Sequence, residues 1–153
     1  MNERHRVAFS FPVMLRVAAC ALYLTSLVMV PYTTQEQSME MRGVEILMVG
    51  WGALPTVLAW LANPLAIFSL ICMRRWPVLC IALSVLGLGL AVDFQSIASL
   101  GWDSSRDVEM GTVTAVNTGA YVWLCSLVLI AMASIACALD HYLKSLPTGR
   151  GRT

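Results

Sequence analysis

Thiols, imidazoles and carboxylates are the groups here that could carry redox, metal or acid–base chemistry. Their spacing suits none of these. The five cysteines are Cys20, Cys72, Cys80, Cys125 and Cys137, with no Cys-x-x-Cys pair. Isolated in apolar sequence, a cysteine acts as a small hydrophobe. His5 and His141 fall near opposite ends of the chain, too far from other candidates for a dyad or a metal site. Met39-x-Met41 offers two thioethers for Cu(I), but no third soft ligand accompanies them. Phosphate loops, nucleophile–base constellations and nucleic-acid motifs are all missing. The expectation is a protein that is not an enzyme and takes no metal, cofactor or nucleic acid.

Polar groups inside apolar sequence remain, and they are more informative. Residues 60–65 read WLANPL, which puts Asn63 and Pro64 inside an apolar run from Ile46 to Met73. A helical proline removes one backbone donor and leaves the carbonyl four residues earlier, Trp60, without its partner. Hydrocarbon can satisfy neither that carbonyl nor the Asn63 amide, so this face must turn towards protein. Counted from Met73, Asn63 lies about 15 Å in, close to the middle of a bilayer. Two readings follow: a kinked helix with an interhelical hydrogen bond from Asn63, or a broken helix lining a midplane substrate site. The absence of Asp, Glu, Lys and His from the central turns of the apolar runs favours the first.

A second polar set lies nearer one surface. Asp93 is about 22 Å along its apolar run, counted from Val78. Asn117, Thr118 and Tyr121 descend from the same side of the last run. With Gln95 they could form an outward-facing polar pocket, since an acid at such depth is a functional candidate by default.

The elements that must position these residues follow from composition. Of 153 residues, 58% are hydrophobic and 12% charged, with a mean hydropathy of +0.73. Soluble domains carry roughly 25% charged residues. The apolar residues come in blocks rather than at amphipathic spacing, and a bilayer helix needs about 20 of them. Four blocks fit: 13–30, 46–73, 78–98 and 113–139. The expected fold is therefore all-α, an integral membrane bundle of four transmembrane helices spanning 13–142. A basic cytoplasmic segment, 1–12, would precede it, and a basic tail, 143–153, would follow.

Charge placement supports that count and orients it. With both termini cytoplasmic, the inner segments hold Arg4, Arg6, Arg16, Arg74, Arg75, Lys144, Arg150 and Arg152. Glu3 and Asp140 reduce their net charge to +6. The outer segments hold Arg42 and Arg106 against seven acids, for −5; the total is the chain's +1. This is the positive-inside pattern. A cleaved leader is not expected, because no small-x-small site follows Val30. Nor is a lipoprotein site at Cys20, where apolar rather than polar sequence continues.

Pro12 and Pro31 bracket the first span. Arg16 can snorkel to the headgroups, while Thr25 and Ser26 can bond back to their own helix. The second span is over-long at about 42 Å, and Gly50-Trp51-Gly52 with Pro55 predict a break near its outer end. Trp51, Trp76 and Trp102, with Arg74 and Arg75, are the expected interface anchors. The turn Arg74-Arg75-Trp76-Pro77 is so short that spans two and three must be antiparallel neighbours. Gly87 and Gly89 would allow close backbone approach.

Trp60-x-Ala62-Asn63-Pro64, with Gly119-x-Tyr121-x-Trp123-Leu124-x-Ser126, resembles a pattern in small uncharacterised four-span bacterial inner-membrane proteins. The likeness covers spans two and four and brings no activity with it. It implies that Asn63-Pro64 and Tyr121/Trp123 act as one packed unit. Better-known four-span families fit worse. Small multidrug exporters require a glutamate in span one, and quinone-linked disulfide oxidases require cysteine pairs at the outer surface. The expected role is contact with another membrane protein or with further copies of itself. Two such jobs are an accessory subunit of a membrane complex and an immunity-type protein against a membrane-inserting toxin. The alternative is a small oligomeric carrier or channel using Asn63, Asp93, Asn117 and Tyr121.

Overall fold

The computed structural model describes residues 11–34, 42–49, 58–99 and 113–145, with side chains placed except at 34, 49, 93–99, 113 and 114. The chain is mostly helical. In order it forms α1 (Phe11–Val28), β1 (Tyr32–Thr34), α2 (Gly43–Val49), a 3-10 turn (Leu58–Leu61), α3 (Ala62–Cys72), α4 (Pro77–Ser99), β2 (Val113–Val116) and α5 (Thr118–Ser145). Two helices, α1 and α5, are long and apolar enough to cross a membrane. The shorter apolar stretches Leu58–Cys72 and Pro77–Val92 accompany them.

Three expectations need correction. The run 46–73 is not one helix. Its described parts are α2, the 3-10 turn and α3; the expected break at Gly50, Trp51, Gly52 and Pro55 lies outside the described residues. The last helix does not begin at 113 either. Val113–Val116 is extended and pairs antiparallel with Tyr32–Thr34, setting Tyr32 opposite Val116 and Thr33 opposite Ala115. The fold is thus not purely α. Finally, α5 continues to Ser145, where Lys144 reaches Asp140 one turn back at 2.6 Å, an i,i+4 pair suited to an exposed helix end.

Helix α1 packs along α5, α5 along α4, and α4 along α3. The short turn does make α3 and α4 neighbours. Amides of Arg75 and Trp76 donate to the Cys72 carbonyl at 2.9 and 3.0 Å, and the Ser69 hydroxyl reaches across to the Cys80 carbonyl at 3.4 Å. Phe68 and Trp76 stack with ring centroids 6.4 Å apart.

Small side chains dominate the interior, around the larger buried Tyr23, Trp60, Met73, Leu127 and Ile130. Ala19, Ala62, Ala66, Ala91, Ala120 and Ala133 are buried, as are Ser26, Ser69, Ser84, Ser126 and Ser134. Most of these serines bond to their own helix: Ser26 to the Tyr23 carbonyl, Ser84 to Ile81, Ser126 to Trp123 and Ser134 to Ile130. Thr25 does the same to Ala21 at 2.9 Å. Hydroxyls satisfied in this way can sit in apolar surroundings without a partner helix. Large apolar side chains face outwards, among them Val17, Leu24, Ile71, Val78, Val85 and Leu139.

Glycine is essential where the ends of α1 and α5 meet. A Cβ on Gly119 would stand 2.8 Å from the Val30 carbonyl oxygen, and one on Gly43 would stand 2.5 Å from that of Ser26. Gly87 has only ordinary contact with Ala62, and Gly89 faces open space, so Gly89 mediates no close approach. Replacing Gly119 with alanine should therefore destabilise by about 1–3 kcal/mol, the usual cost of overpacking. Gly89→Ala should be neutral or slightly stabilising, because it removes backbone freedom from a helix interior. Thermal unfolding of the two variants in the same detergent checks this ordering.

Candidate functional site

Pro64 is placed where its missing donor matters least. It is the third residue of α3, and the first N–H groups of any helix lack intrahelical partners. The chain enters α3 from the 3-10 turn with helical backbone at Leu61 (φ −60°, ψ −19°) and no side-chain cap. The 3-10 turn is held from outside as well. The indole of Trp60 donates to the Leu47 carbonyl of α2 at 3.1 Å, occupying one of the acceptors that a helix leaves open in its last turn.

Starting α3 here orients Asn63 inwards, where it is 9% exposed. Its side-chain oxygen accepts two hydrogen bonds: from the Tyr23 hydroxyl of α1 at 3.0 Å and from the Trp123 indole of α5 at 2.9 Å. Indole nitrogen is a donor only, so the Trp123 bond fixes which end of the amide points into the cluster. One acceptor thus joins three helices. Tyr23 lies about 18 Å along α1 from Phe11 and about 8 Å from its C-terminal end, so the node sits in the C-terminal half of that helix. Beside it, Ala62, Ala66, Ser84, Gly87, Leu127 and Ile130 line a crevice too narrow to hold a water molecule.

Of the second candidate set, the structure describes the side chains of Asn117, Thr118 and Tyr121. Asn117 faces the strand pair: its side-chain amide donates to the Thr33 hydroxyl at 2.9 Å, and its backbone N–H donates to the Pro31 carbonyl at 2.8 Å. Its carbonyl accepts from Ala120 at 3.0 Å, opening α5. Asn117 therefore joins β1 to the start of α5. Thr118 is exposed, and Tyr121 is 55% exposed on the outside of the bundle. The backbone of Asp93 and Gln95 lies in α4, while their side chains, like Trp51, Trp102, His5, Met39 and Met41, lie outside the described residues.

At the other end, Arg74, Arg75 and Trp76 are exposed on the turn, with the Arg75 guanidinium 5.7 Å from the Trp76 ring centroid. The five cysteines are free thiols. Among the described residues, no three of His, Cys, Asp and Glu gather as a metal site.

Sequence reasoning missed Tyr23, the hydroxyl that closes the node. Its only signal was a phenol five residues from the end of an apolar helix, a position equally suited to an interface. No family model, curated protein or solved structure matches this chain.

The node makes graded demands. Tyr23→Phe should lose one interhelical bond, about 0.6 kcal/mol and at most about 1.7. Asn63→Ala should cost more, because it leaves two donors unpaired, the buried Tyr23 hydroxyl and the part-buried Trp123 indole, at about 1–3 kcal/mol. A double-mutant cycle between Tyr23→Phe and Trp123→Phe, read by reversible unfolding in micelles, should show the two bonds coupled through their shared oxygen.

Proposed function

We propose that this chain is a four-span protein of a bacterial inner membrane, with both termini cytoplasmic, that works through protein–protein contacts rather than catalysis. In this reading the 3-10 turn and α3 together make the second span, and α4 makes the third. Trp76 and Arg75, on the turn between the second and third spans, would serve as anchors at the headgroups.

The observation that carries this proposal is the placement of side chains by size. Small residues and self-bonded serines lie inside, and large apolar side chains ring the outside. Water would make that surface an aggregation hazard. Lipid matches it, and between membrane helices small interfacial residues and close packing supply the attraction. The orientation rests on the +6 and −5 split of charge described above.

Contact is favoured over carriage by what happens at Asn63. A carrier site needs polar groups free to take a substrate. Here the Asn63 oxygen already accepts two donors, and the adjoining crevice excludes water. Asn117 is likewise engaged with Thr33 and Pro31. Their roles are to fix the shape of the bundle, whose outer surface then meets a partner. That partner would be a larger membrane complex that this chain serves, or a membrane-inserting toxin that it blocks.

Two measurements test the proposal. Reporter fusions after residues 38 and 105 should be active only outside the membrane, and fusions after 75 and 150 only in the cytoplasm. Crosslinking followed by mild-detergent purification from the native membrane should recover a stoichiometric second polypeptide, with Asn63→Ala lowering protein level or retention together. Recovery of a defined homo-oligomer alone, with liposome flux abolished by Asn63→Ala at normal abundance, would replace contact by carriage.

A further inference from the structure

The inner end of the bundle gathers positive charge from two separate elements. Arg16 is the sixth residue of α1, about 8 Å in from Phe11, and is only partly exposed. Arg74 begins the turn between α3 and α4 and is exposed. Their chain neighbours meet in one cluster: Leu15 and Cys137 pack against buried Met73 and Cys80. Cys137 belongs to α5, so three elements share this patch.

The nearby acid does not neutralise them. Asp140 follows Cys137 by three residues on α5, and its carboxylate is taken by Lys144 at 2.6 Å. Among the described residues neither Arg16 nor Arg74 has an acid partner. Arg75 differs, since its guanidinium lies over the Trp76 ring. Two guanidiniums remain, one part-way along α1 and one on the turn between α3 and α4. An unpaired cation at that depth is costly unless it reaches an anion or water. A guanidinium also matches the planar, two-oxygen face of a phosphate.

We propose that Arg16 and Arg74 form a binding site for the phosphate headgroup of an anionic phospholipid of the cytoplasmic leaflet, whose chains lie along the apolar faces of α1 and α5. The proposal rests on the membrane reading above. Lipid is the occupant, rather than soluble phosphate, because Arg16 is flanked by Val13, Met14 and Val17, outward apolar side chains suited to acyl chains. Basic pockets between helices on the cytoplasmic side are a recurrent form of lipid recognition.

The test uses the full chain, purified in mild detergent and stripped of lipid. Phosphatidylglycerol, phosphatidylcholine or inorganic phosphate is then added, and bound lipid is counted by native mass spectrometry alongside the melting temperature. Phosphatidylglycerol alone should bind and raise the melting temperature. Replacing Arg16 or Arg74 by glutamine should weaken that binding about fivefold each, the usual effect of one basic residue near an anionic surface. The pair Arg16→Lys with Arg74→Lys keeps the charge but loses the two-oxygen match, so it should bind more weakly than the unsubstituted chain and more tightly than the double glutamine variant, which separates lost binding from lost folding. Arg42→Gln, at the other end of the bundle, should change nothing. Equal binding of phosphatidylcholine, an equal response to inorganic phosphate, or unchanged binding after both glutamine substitutions would overturn the proposal. Alkaline carbonate extraction is a separate control: a chain released from membranes would overturn the membrane reading itself.

Discussion

One oxygen atom constrains much of this structure. The side-chain carbonyl of Asn63 accepts from Tyr23 on α1 and from Trp123 on α5. Each of these donors is embedded among apolar groups, where an unmet N–H or O–H costs more than the bond itself contributes. The three helices therefore cannot slide or rotate independently. Because α3 must begin in register with that node, the backbone above it is resolved into the 3-10 turn, and Trp60 is carried to the α2 carbonyl at Leu47.

The rest of the packing follows from keeping polar groups satisfied within single helices. Serines fold back on carbonyls three or four residues earlier, so helix surfaces can meet through alanine, serine and glycine. That closeness concentrates where α1 ends, with Gly119 meeting Val30 and Gly43 meeting Ser26. The β1–β2 pairing and the Asn117 bonds join the same two chain segments. The end of the bundle where α1 finishes is thus locked by backbone, with the Asn63 amide closing the helices below it. The opposite end is held by the tight turn between α3 and α4.

Sequence reading recovered the helices that proline delimits. Pro12, Pro31 and Pro77 bracket α1 and the start of α4, and both helices begin within two residues of the expected positions. It failed where hydropathy was the only signal. In the run 46–73 a break was expected only at Gly50-Trp51-Gly52 and Pro55, and composition reports apolarity rather than continuity, so the 3-10 turn was merged with α3. Val113-Thr114-Ala115-Val116 is equally apolar as helix or strand. Only its pairing with Tyr32–Thr34, some eighty residues away, decides the matter. Asn63 was legible because an amide in apolar sequence demands a partner, and Trp123 was implied by resemblance. Tyr23 was not, since a phenol fits both interior and interface. Asn117 was legible as a polar group near the outer end, but its engagement with Thr33 needs the strand pair to exist.

The central claim, that the Asn63 carbonyl holds three helices together, is tested most directly at the donor that can do nothing else. Hydrogen exchange of the indole N–H groups can be followed by nitrogen-15 NMR of the protein in micelles. The account predicts that the Trp123 indole exchanges far more slowly than that of exposed Trp76, and that Asn63→Ala abolishes the difference while the helices persist. A Trp123 indole that exchanges as freely as Trp76 in the unsubstituted chain would contradict it.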